Sequence, residues 1–287
     1  MIFKDNSLEL AANYDYFILD VWGVIHDGSA AYPSVVENLK TLRSAGKKIC
    51  FLSNAPRRAE KVAIVLEKFG IVRDLYDFIM TSGEASYLFL QDNQNNNYQE
   101  FKKNYYYIGP TKDIDLLSGL DYKRVDNASY ADFVIATGFD NEFSVLEEKL
   151  SDLESAIKHD LLMICVNPDL IVIKQSGHEM LCAGILAQEY KRMGGEVIYF
   201  GKPYKPVYDQ VFKSFAANNI DKIIAIGDGI ETDILGANDN NIDSALVPGG
   251  ILSNRLKIKY RQLPDPNKME AICQEYNIRP KFIIAGL

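Results

Sequence analysis

The segment Phe17-Ile18-Leu19-Asp20-Val21-Trp22-Gly23-Val24-Ile25-His26-Asp27-Gly28 constrains the fold most, because an apolar run stops abruptly at a carboxylate and the chain then turns at glycines. Phe17 to Leu19 read as a buried strand. Asp20 falls where that strand ends, and Gly23 and Gly28 permit tight bends beyond it. Taken alone, the segment reads equally well as a strand, a turn and a capping aspartate.

The pattern recurs. Ile49 to Leu52 stops at Ser53-Asn54-Ala55-Pro56, Val197 to Phe200 at Gly201-Lys202-Pro203, and Ile223 to Ile226 at Gly227-Asp228-Gly229. Helical patterns separate these runs. Pro33 and Ser34 open one with Val35, Leu39 and Leu42 on a stripe, and Val62, Val65, Leu66 and Phe69 mark a second. A helix from about Glu179 to Met193 and another opened by Pro206 follow later. Alternating strands and helices predict an α/β fold with a Rossmann-like parallel sheet. In such a sheet the carboxyl ends of the strands share one edge, where ligands bind. Asp20, Ser53, Asn54, Lys202 and Asp228 are then expected to converge. Each also has a plainer role, as a helix cap (Ser53 and Asn54), a surface lysine (Lys202) or a turn residue (Asp228).

The middle of the chain has an alternation of its own. Strands are expected at Tyr105 to Ile108, Phe133 to Ala136 and Leu161 to Val166. A charged helix from Glu142 to His159 carries Leu146, Leu150, Leu153 and Ile157. This predicts a second α/β domain over 82–176, inserted into a core of 1–81 and 177–287. Gln91 to Gln99 reads as a polar loop, Leu252 to Arg279 shows no clear pattern, and Phe282 to Ala285 reads as a final edge strand. The three adjacent tyrosines Tyr105, Tyr106 and Tyr107 read as packing of the inserted domain, His26 and His178 as structural or exposed, and His159 as a helix end.

A formal net charge of −8 argues against nucleic acid as a partner. No apolar run is long enough to span a membrane, and no signal peptide is seen. Cys50, Cys165, Cys182 and Cys273 lack metal-finger spacing, so reduced, buried thiols and a cytoplasmic location are expected.

The grouped side chains suggest phosphoryl transfer. Asp20 and Asp228 offer the hard oxygen ligands that Mg²⁺ prefers, and an aspartate can carry a covalent phosphoryl group. Ser53 and helix-start amides suit phosphate oxygens, and Lys202 suits the negative centre. Asp233 either orients the lysine or the metal shell, or is a first-turn helix carboxylate. Asn167 and Asp169 either reach toward substrate or form a turn fixed by Pro168.

Asp20 to Gly28, Ser53-Asn54, Gly201-Lys202-Pro203 and Gly227-Asp228-Gly229-Ile230-Glu231-Thr232-Asp233 resemble, in order, the four motifs of the haloacid dehalogenase superfamily. The Gly-Lys-Pro and Gly-Asp-x-x-x-Thr-Asp forms are similar to its class IIA branch of sugar-phosphate, nucleotide and nitrophenyl-phosphate phosphatases, as are Thr137-Gly138-Phe139-Asp140 and Asn167-Pro168-Asp169 to segments of its cap. The resemblance implies a Rossmann-like core with an inserted α/β cap. It implies Asp20 as nucleophile and Mg²⁺ ligand, Asp228 and the backbone carbonyl of Trp22 as further ligands, and Asp233 as support for the metal shell. Ser53 and Lys202 would bind the transferring phosphoryl group. Asn54, Asn167 and Asp169 are the further substrate-binding candidates. The implied partners are a small phosphorylated metabolite such as a sugar phosphate or nucleotide and, through the cap, a second copy of the chain.

The sequence departs from the family pattern at Trp22. Family phosphatases carry there a second aspartate, which protonates the leaving oxygen and then activates water. Loss of such help typically costs about 10²–10⁴ in rate. Three readings stay open: a phosphatase with altered proton handling, in which Asp27, water or the substrate supplies the proton; a weak or inactive phosphate-binding regulatory protein; and a dehalogenase-type hydrolase, whose halide leaving group needs no acid.

Overall fold

The computed structural model of the chain describes residues 1–95, 101–173 and 179–287. It divides into two compact units. The first contains Met1–Ser53, Glu60–Met80 and Lys202–Leu287, and the second contains Asn54–Ala59 and the described part of Thr81–Gly201. In chain order the strands are β1 (Ile2–Lys4), β2 (Tyr16–Asp20), β3 (Lys48–Ser53), β4 (Phe78–Thr81), β5 (Asn104–Ile108), β6 (Lys123–Val125), β7 (Phe133–Ala136), β8 (Leu162–Cys165), β9 (Ile171–Ile173), β10 (Glu179–Leu181), β11 (Val197–Tyr199), β12 (Ile223–Gly227), β13 (Asp243–Leu246) and β14 (Phe282–Ile284). The α-helices are α1 (Val35–Ser44), α2 (Ala59–Lys68), α3 (Ser82–Asn95), α4 (Leu150–Lys158), α5 (Ala183–Arg192), α6 (Lys205–Phe215), α7 (Leu235–Asp239), α8 (Ser253–Leu256) and α9 (Pro266–Tyr276).

The first unit is built on a seven-stranded sheet in the order β1-β14-β13-β12-β2-β3-β4. β12 is buried at every position, as a strand covered on both faces requires, and it pairs in parallel with β2 and β13. From β2 the chain steps outward to β3 and β4, and from β12 it steps the opposite way to β13 and β14. β2 and β12 are therefore neighbours across a topological switch point, which is where open parallel sheets bind ligands. α1 buries Val35, Leu39 and Leu42, the stripe its spacing predicts. In α2 only Leu66 is fully buried, and Val65 of the expected stripe faces solvent.

The second unit has a parallel five-stranded sheet, β11-β8-β7-β5-β6, and an antiparallel pair, β9 and β10. Leu153 and Ala156 of α4 and Leu186, Ala187 and Tyr190 of α5 pack with Val134 and Met163 in one core. Both units are thus α/β with parallel sheets. The insertion expected over 82–176 ends in the wrong place. Position 176 and His178 lie outside the described residues, but the second unit continues to Gly201, because β11 pairs with β8 (Val197 opposite Met163) and α5 joins that core.

Other elements also differ from expectation. Glu179–Leu181 is strand β10, so the following helix begins only at Ala183. α3 carries the expected polar loop forward as helix to Asn95, and the rest of that stretch lies outside the described residues. α9 lies in the region without a clear pattern. Asp265 caps it by accepting from the amides of Asn267 and Lys268, and Met269, Ile272 and Cys273 are buried. β14 is internal, since β1 pairs along its outer side. All four cysteines are free and buried. Among the described residues no helix is long and apolar enough to cross a membrane.

Candidate active site

Strand register alone builds the first half of the site. Asp20, the last residue of β2, lies opposite Leu52 of β3, and Leu19 lies opposite Ile226 of β12. Ser53 is therefore one residue past the partner of Asp20 on one side, and Asp228 is one residue past its level on the other. Asp20, Asp228 and Asp233 are buried, and each places a carboxylate oxygen within 4.8 Å of those of the other two.

Lys202 reaches the cluster by another route. The strand before it, β11, belongs to the other sheet, so the expectation that Lys202 ends a strand of this sheet is corrected. It stands instead before the cis Lys202–Pro203 bond and α6, whose Val207, Tyr208 and Val211 are buried. Its buried ammonium donates to Asp20 Oδ1 at 2.5 Å and Asp233 Oδ1 at 2.8 Å. Asp233 Oδ2 accepts from the Gly229 amide at 3.1 Å and the Thr232 hydroxyl at 3.4 Å, so a short π-helical turn, Ile230–Ile234, aims it back at the lysine.

Glycines make the room. A Cβ on Gly23, whose φ is +81°, would lie 1.9 Å from Asp228 Oδ2, and one on Gly250 would lie 2.1 Å from the same atom. A Cβ on Gly227 would lie 2.0 Å from Asp233 Cγ. The amide of Ile251 donates to Asp228 Oδ2 at 2.8 Å. Sequence reading took Gly23 as a bend, and Gly250 lies in the run Pro248-Gly249-Gly250. The cluster of turn residues was a signal, but its target was visible only through the packing of β12 beside β2.

The electrostatics follow from burial and mutual repulsion. Burial pushes the Asp20 carboxyl well above its ordinary value; Lys202 opposes this, while Asp233 and Asp228 add to it. Burial, then Asp233, lifts Asp228 to about 7, against the pull of the Ile251 amide. For Lys202, burial disfavours the charge, but Asp20 and Asp233 outweigh it and raise its pKa. Three buried carboxylates against one ammonium leave excess negative charge in a small volume. An all-oxygen donor set of this kind fits a hard divalent cation.

The segment after Asp20 carries the residue types the acid/base question turns on. Trp22 is 49% exposed. Its indole covers Gly28, where a Cβ would come 2.3 Å from the ring, and meets His26 edge-on at 5.4 Å between centroids. His26 is buried, its Nδ1 accepts from the Gly28 amide at 2.9 Å, and burial lowers its pKa, so it is a neutral structural residue. The Asp27 carboxylate accepts from the Ser29 hydroxyl and the Ser29 and Ala30 amides, which hold it below the usual carboxylate range. Neither offers an acidic proton at neutral pH.

Asn54, Asn167 and Asp169 belong to the second unit and meet one another there. Asn54 Nδ2 donates to Asp169 Oδ1 at 2.8 Å, and Asn167 Oδ1 accepts from the Asp169 amide at 3.2 Å. Tyr260, which the sequence did not single out, stacks on Tyr32 at 3.8 Å. Its hydroxyl donates to the Val24 carbonyl and accepts from the Leu287 amide, both at 3.2 Å.

Comparisons with known proteins agree with this geometry. A family model described as haloacid dehalogenase-like hydrolase matches residues 17–123, and a second, described as HAD-hydrolase-like, matches residues 199–285. The chain is 25% identical over 272 residues to the chloroplastic phosphoglycolate phosphatase 1A of Arabidopsis thaliana, covering 87% of this chain and 72% of that one. It is 23% identical over 241 residues to the 5'-nucleotidase YutF of Bacillus subtilis (strain 168), covering 83% of this chain and 88% of that one. A crystal structure of a haloacid dehalogenase-like family hydrolase from Brucella suis 1330 superposes with a TM-score of 0.80 at 26% identity, covering 99% of each chain. With the two models spanning both faces of the switch point, and a fold shared end to end with a solved member, the chain belongs to the haloacid dehalogenase-like hydrolases.

Proposed function

We propose that this chain is a Mg²⁺-dependent phosphoric monoester hydrolase acting on a small phosphorylated metabolite, with Asp20 as the nucleophile. The observation that carries the reading is the buried cluster of Asp20, Asp228 and Asp233 around one edge of the sheet, with Lys202 paired to two of them. Relatives named for phosphoglycolate and nucleotide hydrolysis support a small phosphate ester as substrate. Asp20, Asp228 and the backbone carbonyl of Trp22 would hold the cation, with Asp233 behind them. When bound, Mg²⁺ supplies charge neutralisation at the phosphate oxygens.

The chain's own residues do the rest. Asp20 attacks phosphorus, and the bond to the leaving oxygen breaks. Lys202 balances the charge of the nucleophile and of the transferring group. Ser53, at the end of β3, binds a phosphoryl oxygen, and Asn54, Asn167 and Asp169 contact the remainder of the substrate. Water then cleaves the aspartyl phosphate. Trp22 stands where family phosphatases carry their acid/base aspartate, and an indole N–H cannot perform that proton transfer.

The test is phosphate release from 4-nitrophenyl phosphate with and without Mg²⁺. Metal-dependent release that Asp20→Asn abolishes is expected. No release from a broad panel of phosphate esters would leave the second reading, a phosphate-binding regulatory protein, which the indole at position 22 favours; Mg²⁺ and phosphate would then raise the melting temperature without turnover. A dehalogenase is disfavoured by the same cluster, since displacing halide gives no use to three converging carboxylates.

A further inference from the structure

Asp228 Oδ2 is approached from two sides by glycine backbone, Gly23 on one and Gly250 on the other. Each glycine is followed or preceded by a large apolar side chain that is left in solvent. Trp22 is 49% exposed and Ile251 is 70% exposed. Exposed aromatic and aliphatic side chains next in sequence to buried polar groups are a common way to hold the non-reacting part of a ligand. The indole is also fixed: Gly28 lies under it and the His26 ring stands against it edge-on. A ring held on one face and against one edge is a stacking platform that loses little freedom when a second ring covers it.

We infer that Trp22 selects phosphate esters whose leaving group is a planar aromatic alcohol, so that the position that lost proton donation gained leaving-group recognition. The inference rests on the phosphatase reading above and narrows its substrate class. The balance needs no acid. The Asp20 carboxylate forms a bond to phosphorus, the phosphorus–oxygen bond breaks, and the aryl oxide leaves with the electron pair. Water then adds hydroxide to phosphorus, its proton goes to the phosphate, and Asp20 is regenerated. An aryl oxide is stable enough to leave unprotonated, whereas an alkoxide is not.

Trp22 is the chain's only tryptophan, so its fluorescence reports on this position directly. With Mg²⁺ present, phenylphosphonate is expected to quench or shift the emission, while methylphosphonate, which carries the same charge without a ring, leaves it unchanged. In turnover, Trp22→Ala is expected to lower kcat/KM for phenyl phosphate at least tenfold, and that for acetyl phosphate less than threefold. Trp22→Phe retains most of the aromatic preference. Equal responses to the two phosphonates, or equal losses on the two substrates, would overturn the inference and leave the phosphatase reading standing. Failure of both phosphonates and of phosphate itself to bind would remove the phosphatase reading, and the inference with it.

Discussion

At the scale of single residues, the site is a problem in balancing buried charge. Lys202 touches two of three carboxylates, and none of the four groups is more than 8% exposed. Breaking a buried pair by removing one partner leaves an uncompensated charge, which typically costs about 3–5 kcal/mol. Lys202→Met is therefore expected to lose roughly that much in chelator at pH 8, read as a shift in the urea midpoint, and to lose less at pH 5, where the orphaned carboxylates take up protons. An equal loss at both pH values would mean that the lysine acts through packing alone. Gly23→Ala fails for a different reason. A methyl group would overlap Asp228 Oδ2, and the φ of +81° already disfavours any L side chain, a conformational cost of about 1–2 kcal/mol before the overlap is relieved. The expected outcome is a lower melting temperature together with weaker Mg²⁺ binding, since the carboxylate must move to make room.

At the scale of elements, what the sequence disclosed depended on whether a local pattern had one structural meaning. β2, β3 and β12 were legible because apolar runs ending in Asp20, Ser53 and Gly227-Asp228 recur in alternation with helices, although each end taken alone also reads as a cap or a turn. The limit of the second unit was not legible. A strand–helix–strand repeat looks the same whichever parallel sheet it joins, and only the pairing of β11 with β8 decides it. Lys202 was placed correctly in the cluster for a reason that was partly wrong. The segment from Trp22 to Ala31 is a second case of hidden context, because what clasps it is a residue more than 200 positions away. Tyr260 stacks on Tyr32 and hydrogen-bonds the Val24 carbonyl. A stacked pair contributes about 0.5–1.5 kcal/mol beyond burial, and a hydrogen bond about 0.5–1.5 kcal/mol. Tyr260→Ala is expected to loosen this segment and weaken Mg²⁺ binding roughly tenfold, as titrated by thermal shift, whereas Tyr260→Phe, which keeps the stack, loses less than half of that free energy. Identical behaviour of the two variants would place the contribution in the hydroxyl alone.

At the scale of the whole molecule, folding, protonation and metal binding are one linked equilibrium, because the same carboxylates serve all three. Asp228 titrates at about 7 in the folded chain without metal, against an ordinary value of 3.8. Between those values the folded chain holds a proton that the unfolded chain has released. Stability without metal is therefore greatest at the acid end of that window and falls as pH rises through 7. A divalent cation reverses the balance, because it binds the ionised carboxylates and competes with the proton. Its stabilisation, which grows with the ratio of metal concentration to Kd, should be small at pH 5 and large at pH 8. Melting curves in chelator and in excess Mg²⁺ across that range are expected to diverge with rising pH, the chelated protein losing stability while the metal-bound protein holds it. A Mg²⁺ increment that stays constant from pH 5 to pH 8 would mean that the cation binds groups other than this cluster. The surplus of buried negative charge would then have to be borne by protonation of these carboxylates and by Lys202, without a cation to share it.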